Sequence, residues 1–313
     1  MEHFLSVAKG NLVHFHKGWA CNTSQKLIIK YDMHTNALDG YAVQLKELKN
    51  AVKLLGSDLQ LIGDSLYVIS GSKKKKLATE KSFYEEKEDT TLPTLISNKF
   101  YDRFVVASKY ISEDSTRYML CGVCLSPLGG VWATDGKHMI AYHDDEELAI
   151  GKEIVIPYVS SLANLKVKKI FCHDNSMEFV TMQGIHYFVS LIQSQFPNCK
   201  KLLENVEGFN PIELSSDVCK SLLFAEKFLE TKSKQVKVTN KGLVTICSEP
   251  YTDAWEIEQE FSFDCNLVMM NRCLADISAP FRGNKEMMFK TNSNKIFFED
   301  SEKVTMFMPY IKA

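Results

Sequence analysis

Cys121 and Cys124 form the only C-x-x-C pair in the chain, the spacing of dithiol redox centres and of half a zinc site. A redox pair opens a helix. Here both thiols lie in a run of strand-forming residues, 118–125, where a three-residue separation sends the side chains to opposite faces. Zinc needs a second C-x-x-C or a paired histidine motif, and the sequence supplies neither. Both cysteines are therefore read as buried thiols. Asp144-Asp145-Glu146-Glu147 could attract a hard cation only if its carboxylates converged, and the run reads as a solvated loop. No metal or cofactor site is expected.

Two other groupings suggest binding. Lys46, Lys49 and Lys53 recur at i, i+3 and i+7 of one helical pattern, a cationic stripe that is either solvated or set against phosphates. The second is the turn Thr134-Asp135-Gly136-Lys137-His138-Met139. Its glycine can take φ > 0, and Thr134 and Asp135 can bond nearby backbone, so the following side chains are presented at a sheet edge.

The elements that must position these groups are mainly strands. Of the 313 residues, 45% are hydrophobic and 24% charged, which fits folded domains and leaves little room for disorder. The formal charge of -2 shows no overall affinity for polyanions, so any such partner must meet a local concentration of lysine and arginine. The nine scattered cysteines, with no leader pattern, point to reduced thiols in a cytoplasmic compartment, and no apolar run is long enough for a membrane span.

One succession repeats along the chain. A strand at 41–43 leads into a helix at 44–55, strands at 58–62 and 65–70, and a strand region interrupted by Lys73–Lys76, closing near Pro93. The second copy has a strand at 153–156, a helix at 157–165, and strands at 167–172, 176–181 and 186–192, closing at Pro197. The third has a strand at 261–263, a helix at 266–277, and strands at 286–290, 295–299 and 304–307, closing at Pro309. Amphipathic helices at 99–111 and 217–229 open copies two and three, and copy one has no clear equivalent. The plan predicts an α+β protein of three similar domains, 1–97, 98–208 and 209–313.

On four motifs the chain resembles the bacterial DNA polymerase III β subunit, the sliding clamp, or a phage-encoded relative. Arg117-Tyr118-Met119-Leu120-Cys121-Gly122 is similar to the family's strand before its peptide pocket. Ala133-Thr134-Asp135-Gly136-Lys137-His138-Met139 resembles its A-T-D-G-H-R-L turn, and Phe196-Pro197-Asn198-Cys199-Lys200-Lys201-Leu202 its F-P-D-Y-R-R-V segment. Met306-Phe307-Met308-Pro309-Tyr310 resembles its V-V-M-P-M ending. The resemblance implies three clamp domains per subunit, with antiparallel sheets outside and helices lining a central pore, and two subunits closing head to tail around duplex DNA. It implies a non-enzymatic processivity factor that binds DNA without regard to sequence, tethers the replicative polymerase and is served by a clamp loader.

Carried over by motif, the peptide pocket comprises Leu120, Thr134, Gly136, Lys137, His138, Met139, Pro197, Lys201, Leu202, Met306, Met308, Pro309 and Tyr310. The DNA-facing set is Lys46, Lys49, Lys53, Lys99, Arg103, Arg117, Tyr118, Lys220 and Lys227, and the subunit interface Lys73, Lys75, Leu77, Phe228 and Leu229. Departures from the family pattern are Lys137-His138 in place of His-Arg, the absent first helix of copy one, and four lysines on a strand where the family pairs subunits through apolar side chains. Two alternatives stay open: a clamp-like peptide-binding adaptor that does not encircle DNA, and a thiol oxidoreductase using Cys121 and Cys124.

Overall fold

Period-two patterning becomes strand through most of the chain. The computed structural model describes residues 1–24, 26–82, 84, 92–199, 201, 203 and 302–304 in full and, elsewhere, the backbone of strands between 210 and 307. Helix α1 (Glu2–Val7) precedes β1 (Leu12–His16), β2 (Trp19–Thr23), β3 (Leu27–Asp32), β4 (Tyr41–Gln44) and helix α2 (Leu45–Leu55). Strands β5 (Asp58–Ile62), β6 (Ser65–Ser70), β7 (Lys73–Lys76), β8 (Thr79–Lys81) and β9 (Thr94–Ile96) lead to helix α3 (Lys99–Ala107). Next come β10 (Gly122–Leu125), β11 (Val131–Thr134), β12 (His138–Tyr142), β13 (Ile154–Pro157), β14 (Val167–Cys172), β15 (Ser176–Thr181) and β16 (Ile185–Ser190). The last strands are β17 (Asn210–Glu213), β18 (Gln235–Thr239), β19 (Val244–Cys247), β20 (Trp255–Ile257), β21 (Asn266–Met270), β22 (Met288–Asn292), β23 (Lys295–Glu299) and β24 (Lys303–Phe307).

The chain forms two compact units, one of residues 1–101, 148–150 and 156–193 and the other of 102–147, 151–155 and 194–313. In the first, nine strands run in the order β8-β4-β1-β2-β3-β16-β15-β14-β9, with a separate sheet β5-β6-β7. The long sheet is continuous because β3 and β16 pair antiparallel, Ile29 opposite Tyr187 and Ile28 opposite Phe188. Alternation sets its two faces: Val13 and Phe15 are buried on β1, and Ile185, Tyr187 and Val189 on β16. Helix α2 buries Leu45, Leu48, Ala51 and Val52 and exposes Lys46 and Lys53. Full burial of such an aliphatic side chain stabilises by about 1.5–3 kcal/mol. The helix stops at Gly56, whose φ of +92° suits glycine and whose N–H returns to the Val52 carbonyl at 2.8 Å.

One polar group is built into the other face of this sheet. Glu178 on β15 accepts from His173 Nε2 at 2.9 Å and pairs with His186 Nδ1 at 2.6 Å. The His186 ring meets Trp19 edge-on at 5.0 Å, and Lys30 Nζ sits 4.6 Å from the centre of the Phe188 ring. Burial opposes the Glu178 charge, yet the hydrogen bonds and charges of the two imidazoles outweigh it and hold its carboxyl down at about 2.

In the second unit the order is β13-β10-β11-β12-β24-β23-β22-β17, with a further sheet β20-β19-β18-β21. Arg103 on α3 grips the carboxylate of Asp145 with both terminal nitrogens, at 2.9 and 2.6 Å, and lies 5.2 Å from the centre of the Tyr142 ring. Asp145 is thus a fixed ion-pair partner, whereas its run was expected to be a solvated loop.

Four element assignments need correction. Residues 266–270 form strand β21, paired along β18 from Thr239↔Asn266 to Gln235↔Met270, where a helix over 266–277 was expected. The apolar run Leu267–Met270 satisfies its backbone in the sheet and never needs a helical stripe. The helix expected at 157–165 shrinks to one 3-10 turn, Ser160–Leu162, between an extended Val159 and Asn164 at φ +60°. The first helix of copy one exists as α1, which buries Phe4 and Leu5; six residues are too few to show a period. Over 118–125 the strand starts only at Gly122, because Ser115–Leu120 coils as a 3-10 segment. Asp114 caps that segment by accepting from the Thr116 N–H at 2.9 Å. The helix expected at 217–229 and the strand at 261–263 lie outside the described residues.

Candidate peptide-binding site

Strands β11 and β12 pair from Trp132↔Ala141 to Thr134↔Met139, which leaves 135–138 to reverse the chain. The reversal is held by its own side chains. Thr134 Oγ1 donates to the His138 carbonyl at 2.7 Å and accepts from the Gly136 N–H at 3.0 Å. Asp135 Oδ1 accepts from the N–H groups of Lys137 and His138 at 2.8 and 2.7 Å, while Oδ2 lies 2.9 Å from His138 Nδ1. Burial opposes the Asp135 charge, but hydrogen bonds from His138 and Lys137 and the imidazole's charge prevail and bring its carboxyl to about 2.

Gly136, at φ +89°, is doubly constrained. A side chain there would be strained, and its Cβ would come within 3.2 Å of an Arg117 guanidinium nitrogen. Arg117, assigned to face DNA, therefore reaches the turn, and both it and Tyr118 are exposed. Sequence spacing gave no sign of that neighbourhood, because a 3-10 segment and a strand pair separate the two positions.

The C-terminal strand completes the frame. β24 pairs antiparallel with β12, Met306 opposite Met139 and Phe307 opposite His138. The last strand among the described residues is thus stitched to the turn-bearing strand, and Met139 and Met306 share one rung. Lys137 and Gly136 are exposed, while Leu120, Thr134, His138 and Met139 are buried. Of the residues assigned to the turn, Gly136 and Lys137 are therefore the ones open to a partner. Pro197 and Lys201 are exposed, and the Lys201 N–H donates to Asn198 Oδ1 at 3.3 Å. Leu202, Met308, Pro309 and Tyr310 lie outside the described residues.

The other assigned sets divide. Lys46, Lys53 and Lys99 are exposed, and Lys49 is half-buried with Nζ donating to the Ala8 carbonyl at 3.0 Å. Arg103, assigned to face DNA, is 6% exposed and committed to Asp145, so it is a structural ion pair. Leu77, assigned to the subunit interface, is 1% exposed, and its N–H bonds the Leu66 carbonyl at 2.9 Å, so it belongs to the core. Lys73 and Lys75 are exposed, and Lys220, Lys227, Phe228 and Leu229 lie outside the described residues.

Cys124 is buried as expected, whereas Cys121, expected to be buried too, is half-exposed because it follows the 3-10 segment and precedes β10. Burial pushes the Cys124 thiol far up, with Glu153 and Cys199 adding to the effect, and takes Cys199 up to about 12. Reactive cysteines are driven the opposite way. Among the described residues no three histidine, cysteine, aspartate or glutamate side chains gather as a metal site, and no helix is long and apolar enough to cross a membrane.

Taken together, the sheet orders and the turn joined to the terminal strand define the sliding-clamp fold. No family model and no curated protein sequence matches the chain. Solved structures do. The DNA polymerase III β subunit of Pseudomonas aeruginosa aligns with a TM-score of 0.76 at 15% identity, over 99% of this chain and 96% of that one. The β chain from Streptococcus pneumoniae gives 0.75 at 14% identity, over 99% and 97%. That from Thermotoga maritima gives 0.72 at 17% identity, over 100% and 97%. The chain thus shares, end to end, the α+β fold of DNA polymerase III β-subunit sliding clamps.

Proposed function

We propose that this protein is a DNA polymerase processivity factor: a non-enzymatic sliding clamp of three similar domains, 1–97, 98–208 and 209–313. Two copies close into a ring around duplex DNA in the cytoplasm, with a clamp loader to open it. The single observation that supports the reading most strongly is the rung Met139↔Met306, which sets the C-terminal strand beside the Thr134–Met139 turn in a chain with the clamp fold throughout. A glycine that lets a peptide near the backbone, with exposed Lys137 and Arg117 beside it, suits capture of an extended peptide from a polymerase. Tethering by that peptide raises the polymerase's effective concentration at the primer end without any catalytic group on the clamp. Exposed Lys46 and Lys53 on α2 offer phosphate contacts that ignore sequence, and the raised thiol pKa of Cys124 argues against the oxidoreductase alternative.

The test is topological. Loaded protein should stay on closed circular duplex and run off after linearisation. Equal loss from both would refute encirclement and leave the adaptor reading.

A further inference from the structure

In the second and third repeats a short strand covers the first strand of the closing hairpins. β9 pairs antiparallel with β14, Ile96 opposite Ile170, and β17 pairs antiparallel with β22, Ile212 opposite Phe289. The equivalent strands of the first repeat are β5-β6-β7, and among the described residues their sheet stops at β5. The three leading hairpins share one register. Each reverses through two residues, Gly63-Asp64, Asp174-Asn175 and Ser293-Asn294. Counted back from those turns, Leu59 stands where Ile170 and Phe289 stand. Both covering strands therefore set an isoleucine against the position that Leu59 occupies.

Burial follows the same difference. Ile170 and Ile96 are 0% and 2% exposed, whereas Leu59 and Leu61 stay half-exposed although Val68 and Leu66 opposite them are fully buried. The β5 edge is also unguarded. It has no lysine, no proline and no break in register, the devices that ordinarily shield an edge left to solvent. Residues 54–72 hold no lysine or arginine, and exposed Asp58 and Asp64 mark the start of β5 and the turn just past its end.

We propose that the β5 edge is a docking site for an extended segment of a partner protein. The segment adds antiparallel as a fourth strand, with a branched aliphatic residue against Leu59 and lysine or arginine at its ends. Backbone pairing supplies the geometry, the aliphatic side chain completes the burial of Leu59, and the two aspartates select cationic flanks. This edge belongs to the first compact unit and the Thr134–Met139 turn to the second. The site rests on the internal repeat, so it goes beyond the clamp reading and does not depend on it.

The full chain is titrated into a fluorescein-labelled peptide of residues 92–97, Leu-Pro-Thr-Leu-Ile-Ser, with a lysine added at each end, and anisotropy is read. Saturable binding is expected. Replacing the peptide's isoleucine with aspartate should weaken it by at least about tenfold, a loss that misfolding of the protein cannot cause. Leu59→Asp should bring a similar loss with native circular dichroism, and Asp58→Asn with Asp64→Asn a loss of about threefold. Of two peptides N-methylated at alternating residues, only the one whose blocked nitrogens face β5 should lose affinity, because a strand pairs along one edge through every second residue. Absence of saturable binding, binding that survives Leu59→Asp, or indifference to both methylation patterns overturns this inference and leaves the clamp reading intact. So does pairing of β5 with β5 of a second copy that shuts the peptide out.

Discussion

Replacing Asp135 with asparagine separates the charge that holds the turn from the turn's shape. The asparagine oxygen can still accept from the Lys137 and His138 N–H groups, now at 2.8 and 2.7 Å, but the anionic partner of the His138 ring is gone. The folded protein holds the Asp135 carboxyl at about 2, against an ordinary 3.8. At about 1.4 kcal/mol per pKa unit, that shift corresponds to about 2 kcal/mol of stability at neutral pH. Because the folded pKa is depressed, the contribution is fully present above pH 3.8 and is lost as pH falls toward 2. Urea denaturation followed by tryptophan fluorescence should therefore find Asp135→Asn less stable by about 2 kcal/mol at pH 7. The gap should close on acidification to about pH 2. Equal stability at pH 7, or a gap that persists undiminished in acid, would refute the account of the turn as charge-held.

Glu178→Gln removes the anion shared by His173 and His186. The carboxyl is held at about 2 from 4.5, so the loss should be about 3 kcal/mol at pH 7 by chemical denaturation, fading between pH 4.5 and 2. Arg103→Ala removes the bidentate partner of Asp145 and empties the space against Tyr142. A cost of about 3 kcal/mol is expected in the same measurement, and Arg103→Ser should leave the salt dependence of DNA binding unchanged once stability is matched. Deleting residues 308–313 should abolish binding of a polymerase-derived peptide in a fluorescence anisotropy titration while circular dichroism stays native. Unchanged affinity would move the pocket elsewhere.

The long periodic elements were legible in the sequence because their pattern and their burial agree. α2, β5, β6, β14 and β15 fall where alternation or the helical stripe puts them, although β15 buries Glu178 and Thr181. Where local pattern and tertiary pairing compete, the pattern fails. The run Leu267–Met270 is compatible with a helix or a strand, and β18 decides for strand. Arg103 reads as one more cation on an amphipathic helix, and only the fold brings it to Asp145, 42 residues away. Such a pair leaves no local signature, because neither residue's neighbours record that the other approaches.

The site shows the same division more sharply. Thr134, Asp135 and Gly136 announce a turn because each acts on its own immediate backbone. The rung Met139↔Met306 and the approach of Arg117 to Gly136 are products of sheet order, invisible to any window of sequence. The four lysines of β7 are the converse case: fully visible in sequence and fully exposed in the structure, yet opposite in meaning according to what meets them. A solvated edge tolerates neutralisation of Lys73–Lys76 without change of mass, whereas an edge completed by carboxylates does not. Replacing Lys73–Lys76 with glutamine and weighing the particle distinguishes the two, because exposed lysines contribute little to the fold of a single chain.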